Sequence, residues 1–134
     1  MSERCVIVVD EELPAGLAAN AAAVLALTLG AREPGLVGAD FVDADAEPHP
    51  GLIPIGLPVL RASSNDLVDI RRGAAADGVR VVDFPVFGQR TNDYDEFRGM
   101  VAVTPAAELS YLGLALSGPR RAVGRLTGPL ALLR

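Results

Sequence analysis

Along the chain the hydrophobic positions change period several times, and each change marks an element. The unbroken apolar run Val6 to Val9 stops at Asp10. Such a short branched run is what a strand buried on both faces requires, and it places this strand centrally in a sheet. The stretch PAGLAANAAAVLALTLG, Pro14 to Gly30, is apolar on nearly every helical face, with Pro at its start and Gly at its end. It predicts a helix of about four turns, packed between the sheet and a second body such as a partner subunit.

From Ala31 to Pro58, repeated Pro and Gly exclude helix. The pattern predicts a strand over Leu36 to Val42, a turn or loop over DADAEPHPG, and an edge strand over Leu52 to Leu60. The edge position follows because Pro54 and Pro58 cannot donate to a ladder on the inward side. Ser63 or Ser64 caps a helix closed by Gly78, with Leu67, Ile70 and Ala74 on one stripe. Val79 to Phe84 reads as a second short buried strand, and Thr91 or Asn92 opens a helix through Tyr94, Phe97 and Val101. Thr104-Pro105 caps a short turn or helix, SYLGLALSG is an apolar strand, and Ser117-Gly118-Pro119 starts a last helix. Strands and helices alternate with no repeat or linker, which predicts one α/β domain over residues 1–134 with helices on both faces of a small sheet.

Composition narrows the picture. Half of the residues are hydrophobic but only 4% are aromatic, so Ala, Val, Leu and Ile must fill the core. Cys5 is the lone cysteine, inside an apolar run. It cannot form an intramolecular disulfide, and a reducing, cytoplasmic setting is expected. The net charge of −5 is the wrong sign for a protein that holds a polyphosphate backbone, so nucleic acid is disfavoured as a partner. All twelve basic residues are Arg. The apolar stretch Leu17 to Leu29 is broken by Asn20 and Thr28 and is shorter than a bilayer span, so no membrane partner is expected.

The segments VIVVDEELPAGLAANAAAV, DADAEPHPG and YLGLALSGPRRAVGRLTGPLALLR resemble the uncharacterised family called domain of unknown function two thousand, over essentially the whole length. More distantly, both ends resemble type II peptidyl-tRNA hydrolases. The hydrolase motif Gly-Lys-x-Ala-Ala-Gln falls on Ala15-Gly16-Leu17-Ala18-Ala19-Asn20. Its terminal motif, Gly-Pro and then Val-Thr-Gly-x-Leu-x-Leu, falls on Gly118-Pro119 and then Leu126-Thr127-Gly128-Pro129-Leu130-Ala131-Leu132. The resemblance implies a three-layer α/β/α sandwich on a small mixed sheet, of the peptidyl-tRNA hydrolase type II kind, often dimeric. The hydrolase lysine falls on Gly16 and its helix histidine on Ala23, and its Asp-Ala-Gly-Arg-Thr-Gln stretch has no counterpart in MVAVTPAAELSY.

Asp10, Asn20 and His49 are the candidate catalytic residues. Asp10 ends the first strand, where open α/β sheets gather ligands. Asn20 matches the polar position of the hydrolase helix, its amide directed at a pocket by that strand end, or else bonded to a neighbouring loop. His49, the only histidine and so the only side chain of the type suited to proton transfer near neutrality, is placed as a general base or a hydrogen-bond partner of substrate, against the plainer reading of an exposed loop residue. Asp43, Asp45 and Glu47 beside it lack metal-ligand spacing, so no metal is expected, and no cofactor motif is present. Thr127 and Gly128, within the C-terminal match, and Ser117 are candidate substrate-binding residues. Ser117-Gly118 opens a helix whose free N–H groups would hold an anion, with Arg121 and Arg125 on one helix face.

These features lead first to a small hydrolase or related biosynthetic enzyme acting on an acyl, amide or ester bond, with a small-molecule or acyl or peptidyl substrate. A non-catalytic module binding a small metabolite is the second reading, and a divergent peptidyl-tRNA hydrolase the third. A homodimer is expected in each, through apolar surface that so short a chain cannot cover.

Overall fold

The computed structural model describes residues 3–134. In chain order its elements are β1 (Glu3–Asp10), α1 (Ala15–Arg32), β2 (Phe41–Val42), β3 (Pro48–His49), β4 (Val59–Ala62), α2 (Ser64–Ala76), β5 (Arg80–Pro85), α3 (Tyr94–Ala102), β6 (Tyr111–Pro119) and α4 (Arg120–Thr127). A four-stranded mixed sheet runs in the order β4-β1-β6-β5, parallel between β4 and β1 and antiparallel elsewhere. The Val6 to Val9 run is therefore interior to the sheet, and it is buried.

Because successive strand side chains point to opposite faces, β1 feeds two cores. Cys5, Ile7 and Val9 meet Ala18, Ala21, Leu25 and Leu29 of α1. Val6 and Val8 share the other core with Leu67, Ile70 and Ala74 of α2 and with Ala122 and Val123 of α4. Each large side chain fully buried in these cores stabilises the fold by about 1.5–3 kcal/mol relative to exposure. By length and apolarity alone α1 resembles a membrane span, but its Ala18, Ala21, Leu25 and Leu29 seat it on the sheet. In β6 the alternation slips at one place: Phe84 pairs with Gly113 and Pro85 with Tyr111, leaving Leu112 unpaired as a bulge. The slip turns Leu112 into the α1 core and Tyr111 into the other.

Several boundaries differ from the sequence reading. No strand fills Leu36 to Val42. Pro34–Leu36 is a 3₁₀ turn, and only Phe41–Val42 pairs, with β3, which lies within the expected DADAEPHPG loop. Leu52 to Pro58 is not a strand either, although Ile53, Ile55 and Leu57 pack against the α1 core at the period of a strand. The prolines withhold N–H donors until Pro58, whose carbonyl accepts from the Ile7 N–H at 3.0 Å and starts the short edge strand β4. Helix α1 runs through Gly30 to Arg32.

Ser63 caps α2, accepting from the Asp66 N–H at 3.1 Å. Gly78 turns the chain out of that helix at φ +69, a value glycine adopts without strain. Asp93, rather than Thr91 or Asn92, caps α3. The Thr104 hydroxyl caps nothing and donates instead to the Met100 carbonyl at 2.7 Å. The C-terminal segment covers the outer edge of β4, where Arg61 N–H donates to Ala131 at 3.0 Å and Leu133 N–H to Val59 at 2.9 Å. Among the described residues the outer edge of β5 has no strand partner.

Candidate functional site

The uncovered β5 edge borders a cavity of about 360 Å³, walled by Val24, Leu25 and Thr28 of α1, Val82 to Phe84 of β5, and Tyr94 and Phe97 of α3. Its volume falls within the range of small-molecule sites. The wall is built locally. Phe84 is the last residue paired before the bulge, and its ring lies over Gly88, where an added Cβ would run into it. Downstream, the Thr91 hydroxyl accepts from the Asp93 N–H at 3.0 Å, and the Asp93 carboxylate accepts from the Glu96 N–H at 3.1 Å. These bonds fix the start of α3 and hold Tyr94 and Phe97 stacked, 5.9 Å between centroids. Thr91, Asn92, Asp93 and Asp83 make up most of the polar lining, and no Arg or His side chain joins them.

Asp83 is also part of the opposite face. It accepts from Arg71 Nε at 2.9 Å, and the Arg71 guanidinium lies 5.5 Å from the centre of the Tyr111 ring. The hydrogen bond to Asp83 raises the Arg71 pKa above its ordinary value, and burial pushes the Tyr111 phenol up. At the other end of β5, Arg80 donates to Glu3 at 2.6 Å, to Glu33 at 2.8 Å and to Ser117 at 3.0 Å. The Ser117 hydroxyl donates in turn to Glu33 at 3.0 Å. Burial pushes the neighbouring Cys5 thiol up, which disfavours its nucleophilic thiolate form.

The sequence candidates do not gather at the cavity. Asp10 closes the turn after β1, its carboxylate accepting from the Glu12 N–H at 3.0 Å. Asn20 is exposed on α1 and accepts from Gln89 Nε2 at 3.2 Å. It therefore ties the segment after β5 to α1 and lines none of the cavity. His49 lies in the β2–β3 hairpin, 2.9 Å from Asp43 and stacked on Phe41 at 5.2 Å.

Ser117 does not open a helix: it is the buried strand residue of the Arg80 network, because β6 runs on to Pro119 before α4 begins. Thr127 is buried too, its hydroxyl donating to the Val123 carbonyl at 2.8 Å, and Gly128 follows the end of α4. Arg125 reaches Asp77 at 3.6 Å. Among the described residues no cluster of three or more His, Cys, Asp or Glu side chains is placed to hold a metal ion.

The family described as "Protein of unknown function (DUF2000)" matches residues 3–134. The chain belongs to this family. The structure of Atu0240, a protein of unknown function from Agrobacterium tumefaciens strain C58, is similar to it with a TM-score of 0.89 at 15% identity, covering 98% of each chain. No curated protein matches. The DUF2000 fold of this chain is thus that of Atu0240, a mixed α/β structure with helices on both sides of the sheet.

In this DUF2000 chain the residues that sequence reasoning missed are Asp83 and Gln89. Asp83 is a carboxylate inside an otherwise apolar strand, a signal that VVDF carries openly. Gln89 Nε2 donates to the Leu17 carbonyl at 2.9 Å as well as to Asn20, while its own carbonyl oxygen is buried and unpartnered. Nothing in the FGQR stretch distinguishes it.

Proposed function

We propose that this protein is a non-catalytic binding module for a small metabolite with an apolar body and a hydrogen-bond-donating, neutral or cationic head. The observation that carries this reading is the lining of the cavity: Val24, Leu25, Val82, Phe84 and Phe97 on its walls, Thr28, Thr91, Asn92 and Asp93 at its polar part, and no cationic side chain. Apolar walls supply affinity through area removed from water, and a few placed acceptors orient the head. An anionic head would meet the Asp93 carboxylate with no cationic side chain in the lining to offset it.

Hydrolysis of an acyl, amide or ester bond finds less support, since Asp10, Asn20 and His49 are each engaged in separate hydrogen bonds. The negative total charge speaks against a tRNA substrate. Kinship in fold with the type II peptidyl-tRNA hydrolases is supported by the matching ends of the sequence and by helices on both sheet faces, and we extend it to architecture alone. A single free, buried cysteine, Cys5, suits a reducing cytoplasmic setting.

Thermal denaturation with phenethylamine, phenethyl alcohol and phenylpropionate tests the reading. At about ten times the dissociation constant, a bound ligand raises the melting temperature by roughly 3–6 °C. The amine and the alcohol should do so and the carboxylate should not, and Val24→Trp, which fills the cavity, should abolish the effect. Equal stabilisation by the carboxylate, or stabilisation that survives Val24→Trp, would refute it.

A further inference from the structure

Between β5 and β6 the chain leaves the sheet for the whole of residues 86–110 and returns to the place it left. Pro85 pairs with Tyr111 at the end of the sheet, and the Val86 N–H donates to the Ser110 carbonyl at 3.1 Å, closing the neck of the excursion. None of residues 86–110 is buried, although Pro85 and Tyr111 on either side of them are. Of their apolar side chains only Val86 and Leu109, one at each end, pack against the two cores. Most of the segment's bonds begin and end inside it: the Thr91 and Asp93 bonds at the start of α3, the Thr104 hydroxyl on Met100, and the Arg98–Asp95 ion pair. A segment with so little buried area and so few bonds to the body opens at low cost.

One side chain holds the segment down. Among the described residues its only hydrogen bonds to the body beyond the neck come from Gln89 Nε2, to the Leu17 carbonyl at 2.9 Å and to Asn20 Oδ1 at 3.2 Å. The other end of that amide gains nothing by docking, because Oε1 is buried and unpartnered. Two bonds are thus set against one orphaned acceptor, and the balance is close. The cavity lies between this segment and the body: Gly88, Thr91, Asn92, Asp93, Tyr94 and Phe97 come from the segment, and α1 and β5 supply the rest. Lifting the segment therefore takes one side of the cavity away.

We propose, on the reading of the cavity as a binding site, that residues 86–110 are its lid, hinged at the Val86 and Ser110 neck and latched to α1 by Gln89 on Asn20 and the Leu17 carbonyl. A ligand enters when the latch opens. It meets both walls of the cavity only when the lid is down, so binding shifts the lid toward its closed position. Asn20 lies outside the cavity and acts on the ligand only through the lid. The lone amide of the apolar helix is thus half of a latch.

Amide hydrogen exchange of the full chain, read by nuclear magnetic resonance with and without phenethylamine, tests the lid. In the free chain Tyr94–Ala102 should exchange at least about a hundredfold faster than Ser64–Ala76. At ten times its dissociation constant, phenethylamine should slow exchange in Tyr94–Ala102 about tenfold. Asn20→Ala removes one latch bond. It should speed that exchange, and the dissociation of phenethylamine read from line shapes, by about fivefold, with Ser64–Ala76 unchanged. Gln89→Glu sets acceptor against acceptor and puts a charge where Oε1 is buried, and it should speed both at least about tenfold. Adding Asn20→Ala to Gln89→Glu should then change little, because the two side chains act as one latch. Tyr94–Ala102 as protected as Ser64–Ala76 in the free chain, or latch variants that leave its exchange unchanged, overturns the lid. Ligand dissociation indifferent to the latch variants overturns its control of entry. Absence of phenethylamine binding refutes the cavity as a site for such a ligand instead, and exchange in the ligand-free chains decides the lid by itself.

Discussion

Helices α2 and α3 start from the same local ingredients and end in opposite roles. Each begins at a side chain that accepts a hydrogen bond from the third residue on, Ser63 from Asp66 and Asp93 from Glu96, both at 3.1 Å. Helix α2 drives Leu67, Ile70 and Ala74 into the sheet, whereas α3 buries no residue. The aromatic side chains of α3 stand beside the β5 edge and wall a cavity there. A cap and an apolar stripe suffice to make a helix, but depth of contact decides whether it holds the fold or frees volume for a ligand. Stability should reside on the α2 side and binding on the α3 side.

Truncation should separate the two most sharply. Leu67→Ala should cost about 3 kcal/mol by urea denaturation, because Leu67 is fully buried. It should leave the phenethylamine affinity of the folded protein unchanged. Phe97→Ala should cost about 1 kcal/mol of stability and weaken phenethylamine at least about tenfold, a loss of about 1.4 kcal/mol in binding. Equal stability losses at the two sites would erase the contrast. Gly88→Ala should lose about 1–3 kcal/mol by calorimetry, since its new methyl group meets the Phe84 ring that walls the cavity.

Removal of the caps should give smaller effects of different reach. Ser63→Ala should lower global stability by about 1 kcal/mol, whereas Asp93→Ala should speed amide exchange within Tyr94–Ala102 and little else. The β2–β3 hairpin, outside both regions, should respond least and only to acid. The hydrogen bond with His49 comes first among the causes that hold the Asp43 carboxyl below its usual range. A carboxylate depressed in the folded state contributes in full above its unfolded pKa and loses the contribution as the pH falls through the folded one. Hairpin amides should therefore exchange faster below about pH 4 while α2 stays protected, and Asp43→Asn should remove that dependence.

Where side chains pack by periodicity alone, the chain could be read without coordinates. The Val6 to Val9 strand, the Ser63 cap and the Leu67, Ile70 and Ala74 stripe follow from run length, capping chemistry and helical spacing. Where partners lie far apart in sequence, it could not. Leu52 to Pro58 has the period of a strand, yet its Pro58 carbonyl accepts from Ile7 of β1 and its Leu52 carbonyl from Gly38, pairings that no local pattern encodes. Ser117 looks like a cap because Gly118-Pro119 follows, but β6 carries it into the network of Arg80, Glu33 and Glu3. The cavity was hidden for the same reason, since it depends on how far α3 stands from α1. Asn20 stood out in the sequence as the lone amide of an apolar helix, and its partner Gln89 lies 69 positions away.

The most direct measurement is a phenethylamine titration of the nitrogen-15-labelled chain, followed through amide chemical shifts. A ligand seated beside α3 shifts Val24, Thr28, Val82, Phe84, Gly88 and Phe97 together and saturably. Shifts that gather instead around Asp10 and His49, or that phenylpropionate reproduces with equal strength, would contradict the pocket as the binding site.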